Sequence, residues 1–268
     1  MTYKSALRVI CVVAVAFSSS IQQTTAQSTG QIKRAREQYS TISGIIFAEN
    51  GLERNSPNPK GIDSRNIAAA TNQLRELIRG QVTAIVTSGN VTAEKSLERV
   101  RLIQTHDLMS WGGTDVTNAP VVKPFTRGPT VGFAVAYTIL RGNEAVPDSI
   151  GMLEFYAKQN GVWISAGIPE SDFEGRTFVV GPIDSHRPDE EWYLVWGSKL
   201  SDTGARLNIR LYSFNGKTVQ TIWQRDDLIH GVISANENSL QVEYDPAYQA
   251  PESDRIKKIF YLTPNGFQ

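Results

Sequence analysis

The sequence predicts an α+β protein, with an N-terminal antiparallel helical hairpin followed by an antiparallel β-sandwich or half-open barrel. Three observations support this class. Apolar residues recur at spacings of three and four over residues 62–108, glycine and proline interrupt residues 109–129, and short segments of period two follow over residues 130–262. Four parts are therefore expected: a signal peptide at 1–26, a helical region at 27–108, a linker at 109–129 and an antiparallel β domain at 130–268.

Composition is that of a folded, neutral protein. The 268 residues include 27 Lys+Arg and 27 Asp+Glu, so the formal net charge is zero, and 40% of the residues are hydrophobic. A neutral chain lacks the basic surface that binds nucleic acid, and this hydrophobic content is too high for a disordered chain. We therefore expect a globular protein with no nucleic-acid partner.

Residues 1–26 have the order of an export signal. Lys4 and Arg8 precede an apolar run from Val9 to Phe17, and a polar stretch then ends at Ala26. The run is much shorter than the roughly 20 residues of a membrane-spanning helix, so we expect cleavage after Ala26 and no transmembrane anchor thereafter. Cys11, the only cysteine, would be removed, which leaves a secreted or periplasmic chain without disulfides.

Two helices are predicted next, at residues 62–88 and 92–108. Their short connection, Ser88-Gly89-Asn90 onward, predicts an antiparallel hairpin. After the linker, ten strands are predicted from the alternating pattern: 130–141, 152–158, 162–166, 176–181, 192–196, 207–214, 218–224, 231–235, 240–244 and 257–262. Asn160-Gly161 and Asn215-Gly216 lie between aromatic-rich strands, and the sequence presents them as two copies of one hairpin plan.

Three stretches carry a resemblance to a known group. They are Val131 to Gly142, the Trp-x-x-x-Trp-Gly segment Glu191 to Gly197, and Arg210-Leu211-Tyr212 with its following Asn-Gly turn. Over about residues 130–262 the chain resembles a group of exported bacterial proteins of unknown function. The resemblance implies an exported bacterial protein and brings no catalytic residues.

The densest polar cluster is the segment Asp184 to Glu191. Within it, Asp184, His186 and Asp189 are the candidate catalytic residues, because an Asp-His pair flanked by carboxylates can act as an acid–base unit or bind a divalent ion. The alternative is a solvated connection fixed by Pro188. No spacing typical of a metal or cofactor site occurs, so neither is expected.

The remaining candidates are histidine and tryptophan side chains. His106 and His230 are isolated and are interpreted as structural. Trp111 is the candidate ligand-binding residue, since an exposed indole can stack on a glycan, whereas Trp192 and Trp196 share one strand face and are expected in the core. The sequence thus favours a non-catalytic binding or interaction module, with a glycan or an envelope protein as the expected partner. An exported hydrolase or metal-dependent enzyme built on Asp184, His186 and Asp189 is the alternative.

Overall fold

The computed structural model describes residues 64–88, 92–102, 120–127, 130–140, 149–167, 173–175, 178–201 and 204–268, with six isolated helical positions between residues 30 and 41. The signal segment 1–26 with Cys11, most of the predicted linker, His106 and Trp111 lie outside the described residues. The described part is mostly β, with two continuous helices and two antiparallel sheets, an α+β composition.

The helices follow the predicted apolar period. Helix α1 spans Ser64–Val86 and helix α2 spans Ala93–Leu102. Along α1 the side chains buried at intervals of four are Ala70, Leu74, Ile78, Val82 and Val86. The chain divides into two compact units between Ala84 and Ile85, so α1 belongs almost entirely to the first, and α2 lies against the first strand of the second.

The first sheet has the order β1-β2-β3-β4, and a two-residue strand, β5, pairs with the start of β3. Its strands are β1 Val121–Arg127, β2 Thr130–Leu140, β3 Ser149–Gln159, β4 Val162–Gly167 and β5 Glu174–Gly175. Strand β1 lies inside the segment that was predicted to be linker. It contains Pro124, which an edge strand tolerates because one side of its backbone needs no sheet partner.

The second sheet has seven strands in the order β12-β11-β10-β9-β8-β7-β6. They are β6 Phe178–Ile183, β7 Glu191–Ser201, β8 Gly204–Phe214, β9 Val219–Ala235, β10 Ser239–Asp245, β11 Ile256–Thr263 and β12 Gly266–Phe267. A short 3-10 helix, Glu252–Asp254, lies between β10 and β11. Strand β9 replaces the two strands that were predicted at 218–224 and 231–235. Its pairing shifts register against both neighbours, so one bulged strand covers what the sequence presents as two.

The two Asn-Gly hairpins differ from each other. Asn160 and Gly161 have φ values of 50° and 81°, as a tight two-residue turn requires. At the second site only Gly216 has a positive φ, and the side-chain oxygen of Asn215 accepts hydrogen bonds from the backbone N–H groups of Lys217 and Thr218, both at 3.0 Å. The expectation of one shared hairpin plan was therefore wrong in its geometry.

One core cluster joins the two sheets face to face. Phe155 on β3 stacks on Phe214 of β8, with ring centroids 4.5 Å apart, and meets Tyr193 of β7 edge-on at 5.0 Å. Because these rings come from both sheets and are buried, the two sheets share one hydrophobic core.

A second cluster covers the opposite face of the seven-stranded sheet. Trp192, Leu194 and Trp196 belong to it or pack against it, so their shared face is core as predicted, but it is the core of this second cluster and not of the cluster that joins the two sheets. Trp223 on β9 contacts the ring of Phe267 on β12, with centroids 5.2 Å apart. Two strands lie between β9 and β12 in the sheet order, so this contact shows that the sheet curls.

Candidate functional site

The loop that connects β6 to β7 contains the residues that the sequence singled out. Asp184, His186 and Asp189 are all exposed there. No group of three or more His, Cys, Asp or Glu side chains in the described ranges is arranged to hold a metal ion. The three candidates thus lie on the solvent side of the loop, and the side chains that hold the loop in place are their neighbours.

Glu190 is the centre of those inward contacts. Its Oε2 accepts hydrogen bonds from the indole N–H of Trp192 at 2.9 Å and from the hydroxyl of Ser213 at 2.6 Å, and its Oε1 accepts one from Arg187 Nη1 at 3.1 Å. Burial acts to raise the pKa of this carboxyl. The hydrogen bonds from Ser213, Trp192 and Arg187, with the positive charge of Arg187, act the other way and hold the pKa below its ordinary value. The carboxylate is therefore kept ionised as a structural acceptor.

Arg187 links this loop to the other end of the curled sheet. Its Nε donates to the carbonyl oxygen of Pro264 at 3.0 Å, and its Nη2 lies 3.4 Å from Asn265 Oδ1, both in the turn between β11 and β12. Ser185 tightens the loop itself, since its hydroxyl contacts the carbonyl oxygens of Arg187 and Glu190 at 2.6 and 2.5 Å. Hydrogen bonds from this loop thus connect the β6–β7 end of the sheet to the turn before β12.

A different surface collects exposed apolar side chains. The register of β9, β10 and β11 places Val232, Ile259 and Tyr261 on the sheet face opposite the second core cluster. They are 56%, 49% and 62% exposed, respectively, whereas their strand neighbour Phe260 is 9% exposed. We call this face, together with the adjoining ring of Tyr248, the outer β9–β11 surface.

Ion pairs among His230, Asp245 and Arg255 lie at one end of that surface. His230 Nδ1 lies 2.8 Å from Asp245 Oδ2, and Arg255 Nε lies 3.2 Å from Asp245 Oδ1. Arg255 Nη2 also donates to the carbonyl oxygen of His230 at 2.8 Å, and the Tyr248 ring centroid is 6.1 Å from that of His230. These contacts fasten the connection between β10 and β11 to the bulge of β9.

Unusual backbone geometry occurs at the same corner. Asp227, His230 and Gln249 have φ values of 53°, 47° and 70°, and Gly204 has a φ of 97°. A Cβ atom at Gly204 would lie 2.6 Å from His230 Nε2, so the imidazole occupies space that only glycine leaves open. The sequence predicts a structural role for His230, in a turn or at the start of a strand. The structure places it inside β9, exposed and paired with Asp245, and the spacing of the two residues in sequence carried no signal of that pairing.

Comparison with known proteins adds no family, because no family model, no curated protein and no solved structure matches the chain. Within the described ranges, neither helix has the length and apolar character needed to cross a membrane. Function therefore has to be inferred from the surfaces of the chain itself.

Proposed function

We propose that this chain is an exported bacterial binding module without catalytic activity, and that it binds its partner through the outer β9–β11 surface. The observation that carries the proposal is the number of exposed apolar side chains on this face, where the polar side chains of β10 lie between those of β9 and β11. Among the described residues six large hydrophobic side chains are exposed, and four of them belong to this surface: Val232, Tyr248, Ile259 and Tyr261. Apolar groups gathered on one face are typical of interaction sites, whereas single exposed ones are ordinary.

The chemistry of this surface favours a protein partner. Val232 and Ile259 are aliphatic and offer area for burial, while Tyr261 combines an apolar ring with a hydroxyl that can hydrogen-bond. Removing such side chains from water contributes about 25 cal/mol per Å² of apolar area. A glycan would stack mainly on the Tyr rings. Exposed aliphatic side chains such as Val232 and Ile259 therefore favour a protein partner over a glycan.

Export is the second part of the proposal. It rests on the ordered signal at residues 1–26 and on the resemblance of residues 130–262 to exported bacterial proteins. The protein would then be secreted or periplasmic and begin near Gln27. Intact-mass measurement of the protein recovered from exporting cells tests this, because retention of residues 1–26 would contradict it.

We also propose that α1 and α2 form the antiparallel hairpin that the sequence predicts. Its support is the short segment between Val86 and Ala93, together with the buried apolar stripe of α1. A disulfide engineered between facing positions of the two helices would form readily in a hairpin, and its failure to form at several such positions would refute the arrangement.

The second candidate function is an exported hydrolase or metal-dependent enzyme that uses Asp184, His186 and Asp189. Its support is that the three side chains share one solvent-facing loop. The binding module is favoured because these three side chains are exposed to solvent, whereas the reacting groups of an active site converge in a concave pocket.

A thermal-shift screen of the purified mature chain separates these functions. Panels of divalent ions and soluble glycans are compared for the wild type, His186→Ala, Trp111→Ala and Tyr261→Ala, together with hydrolysis of chromogenic esters, phosphates and glycosides. A ligand at 100 times its dissociation constant stabilises the folded state by about 2.7 kcal/mol. If the wild type turns over a substrate or is stabilised by a metal ion, and His186→Ala abolishes that effect, the enzyme is the correct function and the binding module is wrong. A glycan effect lost in Tyr261→Ala or Trp111→Ala would make the partner a glycan.

A further inference from the structure

Over residues 256–260, strand β11 has a backbone edge that no strand of the described ranges covers, beside the outer β9–β11 surface. The N–H and carbonyl groups of Tyr261 both bond to Gln268, at 2.8 and 3.0 Å, whereas the N–H of Leu262 bonds to Asn238 on the opposite side. Backbone groups alternate in direction along a strand, so those of Lys257 and Ile259 point the same way as those of Tyr261. Strand β12 reaches only Leu262 and Thr263, and no described strand pairs with 256–260 on that side.

The charged side chains of β11 itself are basic, whereas Glu252 and Asp254 in the short 3-10 helix before it are acidic and exposed. Lys257 and Lys258 lie on β11 and are exposed, and Arg255 directly precedes the strand. The acidic partners stand one strand further in, on β10: Glu243 lies 3.2 Å from Lys257 Nζ, and Asp245 binds Arg255. A segment that pairs with β11 over residues 256–260 therefore lies beside the exposed side chains of Lys257 and Lys258.

We propose that an acidic, extended segment of a partner protein adds to β11 as an antiparallel strand over residues 256–260. This inference rests on the proposed function, because it names the partner and the binding mode for the same surface. Backbone hydrogen bonds at Lys257 and Ile259 supply affinity, and side-chain pairs supply selectivity. Opposite charges directly across two strands stabilise the pair, and like charges destabilise it.

The register defines the sequence that fits. A strand antiparallel to β11 meets Ile259, Lys258 and Lys257 in that order, so the matching segment reads apolar-acidic-acidic from its N-terminus. The residue opposite Ile259 joins the apolar part of the outer surface, and an acidic residue opposite Lys257 places that ammonium between two carboxylates, its own and that of Glu243.

The same lysines disfavour a second copy of this chain as the occupant. Antiparallel pairing of two β11 edges around Lys257 and Lys258 would bring basic residues of one copy opposite basic residues of the other. Lysine on an exposed edge is a common device against such self-association. The lysines thus disfavour pairing between two copies of β11 and favour pairing of β11 with an acidic strand.

Three labelled peptides test the proposal by fluorescence anisotropy on the full mature chain. The first is acetyl-Thr-Val-Glu-Glu-Val-Ser-amide, the second carries lysine at both glutamate positions, and the third carries proline at both valine positions. The acidic peptide should bind about tenfold more tightly than the basic one, and the proline peptide should not bind measurably. Equal affinities for the acidic and basic peptides, or equal binding of the proline peptide, would overturn the proposal.

Protein variants then locate the binding. Ile259→Pro removes an N–H that points to the open edge and leaves the bonds to β10 in place, whereas Ile259→Thr loses the same apolar side chain but keeps that N–H. Ile259→Pro should weaken the acidic peptide at least tenfold relative to Ile259→Thr. The double variant Lys257→Glu with Lys258→Glu should reverse the preference and bind the basic peptide. If Ile259→Pro does not fold, the charge reversal alone decides, and an unchanged preference would refute the edge as the site.

Failure of this inference can be told from failure of the proposed function. A photo-cross-linking residue at position 261 reports occupation of the outer surface in exporting cells without reference to the edge. Suppose that a partner cross-links at position 261 but that peptide affinity depends neither on peptide charge nor on the β11 variants. That result would overturn strand addition and would still support the binding module. Loss of both signals would overturn both.

Discussion

Neutralising Glu190 should destabilise the protein in a pH-dependent way. In Glu190→Gln the side chain keeps its shape, but it offers one acceptor oxygen where three donors, from Trp192, Ser213 and Arg187, now meet a carboxylate. Hydrogen bonds to a charged group contribute about 1.5–3 kcal/mol each, and bonds to a neutral one about 1 kcal/mol. The Arg187 side chain is 42% exposed, so its ion pair adds little. We expect a loss of about 2 kcal/mol at pH 7.

The pH dependence follows from the lowered pKa of Glu190. A carboxyl whose folded-state pKa lies below its unfolded value adds stability above the unfolded pKa, near 4.5, and loses that stability as pH falls through the folded pKa. The difference in free energy of unfolding between wild type and Glu190→Gln should therefore be constant from pH 5.5 to 7 and should narrow as pH falls below the unfolded-state pKa.

Urea unfolding followed by circular dichroism at a series of pH values measures this gap. Asp189→Asn is the matched control, because Asp189 is an exposed carboxylate in the same loop. It should change the free energy of unfolding by less than about 0.5 kcal/mol. The reasoning is refuted if Glu190→Gln costs no more than Asp189→Asn, or if its cost is the same at pH 7 and pH 3.

Three further substitutions have defined outcomes. Arg187→Ala removes the bonds to the β11–β12 turn and should speed hydrogen exchange of β12 amides about tenfold, with β2 amides unchanged as an internal control. Asn215→Ala removes the acceptor that closes its hairpin and should cost about 1 kcal/mol in urea unfolding; no measurable loss would contradict that role. Gly204→Ala should cost about 1–2 kcal/mol and shift the imidazole NMR signals of His230, whereas unchanged signals would contradict the close approach.

The sequence predicted most strands because short apolar segments are bounded by turn residues, which is typical of strands. Strand β8, for example, was expected at 207–214 and spans Gly204–Phe214. Strand β1 was missed because Pro124 and the surrounding glycine and proline residues indicate a linker, and only the pairing with β2 shows that this is an edge strand. The bulge that keeps β9 continuous depends on positive φ angles at Asp227 and His230, which neither residue type signals.

The outer β9–β11 surface could not be predicted from the sequence for a similar reason. Ile259, Phe260, Tyr261 and Leu262 are all apolar, so period-two reasoning cannot say which pair faces the core. Packing decides it: Phe260 is buried in the second core cluster, and Tyr261 is exposed. The loop at 184–191 was recognised as a polar cluster. The inward roles of Arg187 and Glu190 depend on Pro264 and Ser213, which are distant in sequence.

Site-specific photo-cross-linking in exporting cells tests most directly whether the outer β9–β11 surface binds a partner. Benzoylphenylalanine replaces Tyr261, or replaces Val162 on β4 as the control, because both side chains are exposed, at 62% and 65%. The proposed function predicts a cross-linked adduct of one defined mass from position 261, weakened by Ile259→Ser in the same chain, and no such adduct from position 162. Equal yields from the two positions, or no adduct from position 261, would contradict it.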